Sequence, residues 1–405
     1  MSRIKTQTLK GFRDFLPGQM AIRNRVINTF KQVFESYGFA ELQTPTLEYA
    51  EVLTGKYGAE AEKLMYLFKD QGDRQVGLKY DLTVPLARVM AQYPDLPKPF
   101  KRYQIQPVFR AENTQKGRYR EIYQCDIDTV GTTSLYADAE ILSVISDCLK
   151  ALGFTDFTIK VNSRKILFSI TSSLPVLQTL DKLDKKSEVE VKKELIDKGL
   201  TAAEIEDLFT KIKSAVPDAD LQQVLEFAAQ LGVTNIKFEP TLVRGLDYYT
   251  GTIFETTITE PKIGSITGGG RYDNLIKSLG GPELSAVGTS FGLDRICDAI
   301  AELNLWPEVS ATSVKVLVTI FSKELGEESL KLAQTLRRKG INTEIYPDAT
   351  VKLDKQLKYA SDKDIPYVVI VGPEEVAKGV VTLKNMQTGD QEQVDFQAIA
   401  SKISA

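Results

Sequence analysis

The sequence predicts an α+β protein: antiparallel hairpins packed with helices, interrupted by a helical segment and followed by a separate α/β domain. Residues 101–128 alternate in polarity as two strands joined by a long polar loop, which is the pattern of a β-hairpin. Residues 165–232 are rich in Lys, Glu, Asp and Leu and carry little β signal. Residues 314–405 alternate strand and helix patterns, which is typical of a mixed sheet covered by helices.

Length and composition limit the class of protein. The 405 residues are enough for two or three domains, and the net charge of −3 means that nucleic acid would be bound through local basic patches. Three cysteines without a CxxC pair argue against a disulfide scaffold and a cysteine zinc site, and they favour a reducing cytoplasm. We expect neither a signal peptide nor a membrane span, because no stretch has the required run of apolar residues.

The chain contains no histidine, which restricts the chemistry available to an enzyme. Catalysis by Ser-His-Asp or Cys-His groups, histidine zinc sites and imidazole general bases are all excluded. Carboxylates, Arg, Lys, Tyr and backbone groups remain, and Mg²⁺ is compatible with them as a metal ion. Phosphoryl and nucleotidyl transfer suit that set, because positioning and charge neutralisation supply most of the catalysis.

The first part of the chain predicts a helix, a hairpin and a second helix. Residues 18–38 have the apolar spacing of an amphipathic helix that ends at Gly38. Residues 60–80 have the pattern of a hairpin, and Pro85 opens a helix at its first turn. Asp81 and Thr83 either cap this helix or form an acidic, hydroxylic pocket wall suited to an ammonium group, and these readings remain equally open.

The middle of the chain continues this alternation. Residues 134–153 predict a helix that is followed by a strand, and Asn162 and Arg164 at the strand exit are expected in an exposed loop. Within 165–232, Thr201 and Glu204 form the pattern of a capping box before a helix. Its charge runs are interpreted as solvated helix faces.

Three features beyond this segment suggest a ligand site. Tyr248 and Tyr249 are adjacent, so in a strand one would be in the core and the other would line a site. The three glycines before Arg271 would let the backbone approach a ligand closely. Arg295 falls in the first turn of a helix, where it opposes the helix dipole and favours an anionic ligand such as a polyphosphate.

Several stretches in this order resemble the histidyl-tRNA synthetases, a family of class II aminoacyl-tRNA synthetases. The hairpin at 107–128 resembles class II motif 2, GTSFGLDRI (288–296) resembles motif 3, and LVRGLDYYTGTIFE (242–255) resembles the histidine-specific motif. KYDLTVPLARV (79–89) resembles the loop that binds the substrate amine. The resemblance extends over essentially the full length.

The resemblance implies a class II catalytic core with a helical insertion and a C-terminal α/β anticodon-binding domain. The expected divisions are the first part of the core, the insertion, the second part of the core, a linker and the anticodon-binding domain, at 1–164, 165–232, 233–305, 306–313 and 314–405. The default interpretation of the basic side chains of the last domain is solvated helix faces, although they could form a basic face for RNA; they are Arg337, Arg338, Lys339, Lys352, Lys355 and Lys358.

The resemblance also implies ATP-dependent formation of histidyl-adenylate and transfer of histidine to tRNA(His) by a cytoplasmic homodimer. Mg²⁺ would bridge the ATP phosphates, and no protein residue is assigned as a metal ligand. The catalytic residues would be Arg110, Arg244 and Arg295, with Arg110, Glu112 and Arg295 at ATP. Histidine would be held by Asp81, Thr83, Gln124, Asp128, Arg244, Tyr248 and Tyr249, and the tRNA acceptor end by Gln115, Arg118 and Arg120.

Two alternatives share this fold. The first is the regulatory paralogue of ATP phosphoribosyltransferase, a binding module that typically lacks the C-terminal domain and the ATP arginines. The second is a class II ligase for another amino acid. The presence of Arg110, Arg244, Arg295 and residues 314–405 argues against the first, and the LVRGLDYY stretch argues against the second.

Overall fold

The computed structural model describes residues 4–54, 63–114, 117–184, 186–244, 248–307 and 309–404. The chain divides into two compact units. The first comprises Met1–Asp14 and Arg23–Trp306, and the second comprises Phe15–Ile22 and Pro307–Ala405.

An eight-stranded sheet forms the centre of the first unit within the described ranges. Its strand order is β1-β5-β6-β11-β10-β9-β7-β8, with parallel pairing of β1 with β5 and of β7 with β8 and antiparallel pairing elsewhere. The strands are β1 (Ala40–Glu41), β5 (Phe100–Phe109), β6 (Glu121–Val130), β7 (Phe157–Ser163), β8 (Ile236–Phe238), β9 (Thr252–Ile258), β10 (Thr267–Tyr272) and β11 (Ala286–Gly292). The antiparallel pair of β5 and β6 confirms the hairpin predicted at 101–128.

A smaller sheet consists of β2 (Leu47–Tyr49), β4 (Gln75–Leu78) and β3 (Leu67–Lys69), with the strand order β2-β4-β3. β3 and β4 pair antiparallel, which confirms the second predicted hairpin. A short helix, α2 (Ala50–Leu53), follows β2.

Three longer helices were predicted in this unit, and each is present. They are α1 (Pro17–Ser36), α3 (Thr83–Gln92) and α4 (Leu135–Ala151). Gly38 has a φ of 79°, a backbone conformation that glycine adopts without strain, so the chain turns there after α1. Phe30 and Phe34 of α1 pack against Phe291 of β11, with ring centroids 4.8 and 5.7 Å apart. This apolar contact fixes α1 against the sheet.

The acidic and basic middle segment folds as helices, as predicted. They are α5 (Arg164–Ile170), α6 (Leu174–Leu180), α7 (Glu188–Asp197), α8 (Ala202–Ser214) and α9 (Ala219–Gln230). Thr201 and Glu204 form the predicted capping box, and a second one joins Ser187 to Glu190. The buried apolar residues of α5–α8 share one core with Leu242, Val243 and Tyr249, so the helical segment supports the chain on either side of Arg244.

After α10 (Leu293–Glu302), the second unit has its own five-stranded sheet in the order β13-β12-β14-β15-β16. Its strands are β12 (Val316–Val318), β13 (Thr343–Ile345), β14 (Tyr367–Ile370), β15 (Val380–Asn385) and β16 (Gln391–Asp395). Its helices are α11 (Gly326–Arg338), α12 (Leu353–Asp362), α13 (Pro373–Lys378) and α14 (Ile399–Ser404). The predicted strands and helices are confirmed, whereas α13, β16 and α14 were not anticipated.

Helices that could cross a membrane were searched for in the described ranges. None is both long enough and apolar enough to do so.

Candidate active site

A cavity of about 430 Å³ opens over one face of the eight-stranded sheet in the first unit. Gln124, Asp126 and Asp128 of β6 line it, because alternate residues of a strand point to the same face. The opposing residues of β11 are Gly292, Ser290 and Gly288 in the same order. One side of the floor is therefore polar, and the other is nearly free of side chains.

The glycines of β10 and β11 are required by close approach. A Cβ atom at Gly288 would lie 1.9 Å from Asp128 Oδ1, and one at Gly268 would lie 2.2 Å from Arg244 Nη1. These distances are far shorter than a van der Waals contact. The sequence predicted that the glycine run before Arg271 lets the backbone approach a ligand. In the structure, Gly268 of this run leaves room for a protein side chain, that of Arg244.

Asp128 is held by two side chains that lie below and beside the cavity. Arg102, fully buried on β5, places Nη2 2.7 Å from Asp128 Oδ2, and the hydroxyl of Tyr272 donates to Oδ1 at 2.6 Å. Burial raises the pKa of Asp128 to about 6, and Arg102 opposes that rise. The carboxylate is thereby fixed in position with its charge partly compensated.

Asp126 lies two residues before Asp128 on β6, and the negative charge of its carboxylate is less well compensated. Its side chain is 2% exposed, and its Oδ1 has no hydrogen-bond partner among the described residues. Burial raises its pKa to about 7, which Arg102 opposes and the charge of Asp128 reinforces. The cavity therefore contains a carboxyl group whose ionised form is held at a free-energy cost.

Asp81 and Thr83 follow β4 at the edge of the cavity. Asp81 Oδ1 accepts hydrogen bonds from the backbone N–H groups of Thr83 and Val84, at 3.1 and 3.0 Å, at the start of α3. Asp81 and Thr83 also line the cavity. The carboxylate therefore caps the helix and also lies in the cavity wall, and its interaction with an ammonium group stays a prediction.

Arginines gather at another part of the cavity. Arg110 stacks over the ring of Tyr80 at 4.6 Å, and Arg295 donates to the backbone carbonyls of Ser265 and Gly117 at 2.7 and 3.2 Å. Burial lowers the pKa of Arg295, and the charges of Arg118 and Arg110 lower it further. This mutual repulsion of cations, together with the helix-start position of Arg295, favours an anionic ligand.

Glu112 is the acidic neighbour of this cationic region. It lies 3.9 Å from Arg118 and lines the cavity. In the described part of the chain, no group of three His, Cys, Asp or Glu side chains could hold a metal ion. A metal here would need ligands from a bound substrate as well as from the protein.

Arg244 is held in a special backbone conformation between the two regions. Its φ is 59°, its guanidinium lies 3.2 Å from Glu255, and it also hydrogen-bonds the hydroxyl of Tyr249. A non-glycine residue with positive φ is uncommon and persists where its surroundings fix it. The strand-to-strand turn predicted at 245–247 lies outside the described residues.

Two residues that we expected in an exposed loop hold this conformation instead. Asn162 is fully buried and donates to the carbonyls of Pro240 and Leu242, at 3.1 and 2.9 Å. Arg164 is 2% exposed and donates to the carbonyls of Val243 and Tyr249, at 3.4 and 3.5 Å. The prediction of exposure was wrong, because these polar groups satisfy buried backbone acceptors that sequence does not show.

The interpretation of the adjacent tyrosines as opposite faces of a strand was also wrong. β9 begins at Thr252, so Tyr248 and Tyr249 precede it, and both line the cavity. Their rings lie 4.8 Å apart at an interplanar angle of 58°. Tyr249 is at the same time part of the core shared with the helical segment.

Most predicted site residues meet at this one cavity. Lining residues among them are Asp81, Thr83, Arg110, Glu112, Arg118, Gln124, Asp128, Arg244, Tyr248, Tyr249 and Arg295. Arg120 is not among the lining residues, and its guanidinium donates to the carbonyls of Glu112 and Lys10. Gln115 lies outside the described residues.

Sequence reasoning assigned no role to several residues of the site. They are Tyr80, Arg102, Asp126, Tyr272, Ser290 and Asp294. The alternation along β6 placed Asp126 on the same face as Gln124 and Asp128, so this signal was available. Arg102 and Tyr272 depend on register between strands far apart in sequence, which no local pattern reports.

The sheet, its cationic and acidic cavity and the separate α/β unit together define a class II aminoacyl-tRNA synthetase. A sequence model of histidyl-tRNA synthetase matches residues 11–296, and one of an anticodon binding domain matches residues 315–405. The chain belongs to the histidyl-tRNA synthetase family.

Similarity to individual members of the family extends over nearly the full length of the chain. The chain is 40% identical to a histidine–tRNA ligase of Cytophaga hutchinsonii, over 97% of this chain and 98% of that protein. It is 42% identical to one of Wolinella succinogenes, over 96% and 95%. The crystal structure of histidyl-tRNA synthetase from Nostoc sp. PCC 7120 superimposes with a TM-score of 0.85 at 30% identity, covering 99% of each chain. The predicted family, fold class and ligase activity are thereby confirmed, and the regulatory paralogue is not favoured.

The pKa of Asp126 predicts a stability effect. Because its folded pKa of about 7 lies above the unfolded value of about 3.9, its stabilising contribution is complete at low pH and is lost as pH rises through about 7. Ligand-free Asp126→Asn should therefore be more stable than the unsubstituted protein at pH 8, by on the order of 1 kcal/mol or more. The difference should shrink at pH 5. Thermal unfolding at both pH values measures it, with exposed Asp220→Asn as the control. An equal or larger difference at pH 5 would contradict the prediction.

Gly288→Ala should disrupt the floor, because the added methyl group must displace the Asp128 carboxylate. Overpacking of this kind costs the fold about 1–3 kcal/mol. Displacement of a carboxylate that is expected to hold histidine should in addition lower histidine-dependent pyrophosphate exchange by about 10- to 100-fold, the loss that corresponds to one charge-assisted hydrogen bond. Gly326→Ala is the matched control, since no atom lies within 4 Å of a Cβ at that position. Equal activity of the two variants would show that Asp128 can move without consequence.

Proposed function

We propose that this chain joins histidine to AMP with release of pyrophosphate and then transfers histidine to the 3′ end of tRNA(His). One observation carries the proposal in detail: a single cavity is lined by buried carboxylates on β6, by a cluster of arginines and by Arg244. Histidine presents an ammonium group and an imidazole, ATP presents phosphates, and the carboxylate of histidine must meet the α-phosphate. The charges of the cavity match these groups.

In the first step, a carboxylate oxygen of histidine attacks the α-phosphorus of ATP in line with the departing pyrophosphate. Arg110 would hold the α-phosphate and Arg295 the γ-phosphate, while Glu112 helps place the nucleotide. Arg244 would bridge the histidine carboxylate and the α-phosphate. Its fixed backbone and its contact with Glu255 keep the guanidinium in place before charge develops, which is the condition for electrostatic catalysis.

Histidine would be recognised through its imidazole ring and through its ammonium group. We propose that Asp128 and Tyr249 hydrogen-bond the two imidazole nitrogens with Tyr248 nearby, and that Asp81, Thr83 and Gln124 line the ammonium side. Arg102 and Tyr272 keep the Asp128 carboxylate in place. A side chain of similar shape without ring nitrogens would leave these buried groups unpaired and would be rejected.

In the second step, a hydroxyl of the terminal adenosine attacks the carbonyl carbon of histidyl-adenylate, and AMP leaves. Arg118 lines the cavity and is available to the acceptor end of tRNA. Gln115 and Arg120 are proposed contacts from the same loop. The backbone bonds of Arg120 to Lys10 and Glu112 suggest that it acts through the position of the loop.

Mg²⁺ is proposed to arrive with ATP. The arginine-rich lining offers Glu112 as its nearby carboxylate, which fits an ion held mainly by phosphate oxygens and water. When bound, the ion would neutralise charge on the phosphates. The protein residues would still bind and orient both reactants.

The second unit is proposed to bind the anticodon region of tRNA(His). Its candidate RNA-facing side chains are exposed, namely Arg337, Arg338, Lys339, Lys352, Lys355 and Lys358. We also retain the domain divisions at 1–164, 165–232, 233–305, 306–313 and 314–405 as a proposal.

A cytoplasmic homodimer is the proposed form of the protein. Leu47 and Tyr49 of β2 and Phe68 of β3 are 45%, 52% and 44% exposed on the three-stranded sheet. Tyr49 and Phe68 are both in register with Val76 of β4, so they share one face. A contiguous exposed apolar face of this kind is typical of an interface. The thiols of Cys125, Cys148 and Cys297 are unoxidised, which fits the cytoplasm.

The activity is tested by pyrophosphate exchange with each of the twenty amino acids, followed by charging of tRNA(His) with and without its extra 5′ guanosine. Exchange should depend on histidine, and charging should depend on the guanosine. Exchange with a different amino acid would replace the proposed substrate. Absence of exchange with every amino acid would support the regulatory paralogue.

Arg110→Ala tests whether Arg110 contributes to the adenylation step. Removing one preorganised donor to the transition state typically lowers kcat by about 100- to 1000-fold, so histidine-dependent exchange should fall by that amount. Gln115→Ala, in the same loop, should leave exchange intact and slow single-turnover transfer to tRNA. If both substitutions lower exchange equally, the proposed division between phosphate and tRNA contacts is wrong.

Tyr49→Glu should weaken the dimer, because it places a charge on the proposed apolar interface. Sedimentation velocity should show monomer at concentrations where the unsubstituted protein is dimeric. Phe321→Glu, at a 47% exposed aromatic residue of the second unit, should remain dimeric. A dimeric Tyr49→Glu protein would place the interface elsewhere.

A further inference from the structure

Two buried acceptor oxygens lie at neighbouring positions on the cavity face of β6. Gln124 Oε1 and Asp126 Oδ1 have no hydrogen-bond partner within the described ranges. Both residues line the cavity, and alternate residues on one strand face lie about 7 Å apart at Cα. Buried polar atoms are nearly always paired in folded proteins, so two neighbouring exceptions facing a cavity indicate a ligand with donor groups.

The surrounding donors are already committed. Gln124 Nε2 donates to Ser290 Oγ at 2.6 Å, and Ser290, which faces Asp126 across the strands, hydrogen-bonds the Asp126 carboxylate. The Asp128 carboxylate accepts a hydrogen bond from Tyr272 on Oδ1, and Arg102 is the ion-pair partner of Oδ2, which has no hydrogen bond of its own. Of the acceptors on this face of β6 within the described ranges, Gln124 Oε1 and Asp126 Oδ1 therefore have neither a hydrogen bond nor an ion pair.

The neighbouring carboxylate of Asp81 has a different task. Its Oδ1 accepts two backbone N–H groups at the start of α3. A carboxylate used in this way is oriented towards the helix end, and its charge interacts favourably with the helix dipole. Asp126 lies within β6 and not at a helix end, so no helix N-terminus compensates its charge.

An ammonium group is the ligand that fits these oxygens. It has three N–H donors and no acceptor, and its positive charge compensates a buried carboxylate. We propose that Asp126 is the anionic acceptor of the substrate α-ammonium group, with Gln124 Oε1 as the second acceptor and Asp81 forming the wall. This inference rests on the proposed activation of histidine and adds a specificity-determining residue to it.

The position of the carboxylate is unfavourable without a ligand, which supports the assignment. Asp126 interacts with the positive charges of Arg102 on β5 and of Lys79 directly after β4, but also with the negative charges of Asp128 on its own strand and of Asp81 after β4. Arg102 is already paired with Asp128 at 2.7 Å. A residue that weakens the unliganded fold is expected where function requires it.

The test compares Asp126→Asn with the unsubstituted protein, using two ligands that differ only in the ammonium group. The ligands are histidine and 3-(imidazol-4-yl)propionate, and calorimetry measures both dissociation constants. Because a charge-assisted hydrogen bond is lost, the dissociation constant for histidine should rise by about 10- to 100-fold. The dissociation constant for 3-(imidazol-4-yl)propionate should change by no more than about twofold. Asp220→Asn should change neither.

Equal weakening of both ligands would show a structural role for Asp126, and no change in either would show that the ammonium group lies elsewhere. Both results overturn the inference. If the unsubstituted protein binds histidine and catalyses exchange while Asp126→Asn does the same unchanged, only this inference fails. If the unsubstituted protein neither binds nor activates histidine, the proposed function fails first.

A measurement on the unsubstituted protein covers the case in which Asp126→Asn does not fold. The preference for histidine over 3-(imidazol-4-yl)propionate should fall by about tenfold or more between pH 8 and pH 5.5, as Asp126 takes up a proton. Because the ammonium group lowers the imidazole pKa of histidine, the imidazole pKa of each free ligand is measured by titration and each dissociation constant is corrected for it. A ratio that does not change with pH would overturn the inference.

Discussion

The buried ion pair between Arg102 and Asp128 is the contact on which the rest of the site depends. Arg102 is fully buried, and its guanidinium lies 2.7 Å from the carboxylate. Removing one partner of such a pair leaves an uncompensated buried charge and typically costs 3–5 kcal/mol. Residues on β5 and β6 must therefore remain in register, because a shift of one strand by one residue would place Arg102 and Asp128 on opposite faces of the sheet. The hairpin is fixed by its polar face as much as by its apolar one.

The space above this pair comes from glycine. Gly288 leaves room for Asp128, and Gly268 leaves room for Arg244, so each functional side chain of the floor faces a strand position without one. A sheet normally fills both faces, and glycine in a strand weakens it. Here the missing side chains create the cavity, while the backbone ladder of β10 with β11 continues beneath it. The sheet keeps its rigidity and loses only its packing on one face.

Local sequence patterns predicted most of the elements, and the motif resemblance predicted most of the residues that line the cavity. The hairpin of β5 and β6, the longer helices and the alternation of strands and helices in the second unit follow from periodicity, and the resemblance supplied the arginines and the acidic and aromatic residues of the lining. Failures occurred where a side chain acts on distant backbone. Asn162 and Arg164 looked like loop residues because their partners lie about 80 positions away. Tyr248 and Tyr249 were placed in a strand because nothing local marks where β9 begins.

A rigid strand explains how one cavity can serve two reactants. Gln124, Asp126 and Asp128 lie on one face of β6, so the spacing of the strand sets the distances between the groups that are proposed to contact the amino acid. Arg110 directly follows β5, and its backbone N–H donates to the carbonyl of Arg120 across the hairpin. The phosphate and amino-acid ends are thus positioned by one hydrogen-bonded element. A reaction that needs the carboxylate and the α-phosphorus about 3 Å apart benefits from this, because small errors of position are costly to rate.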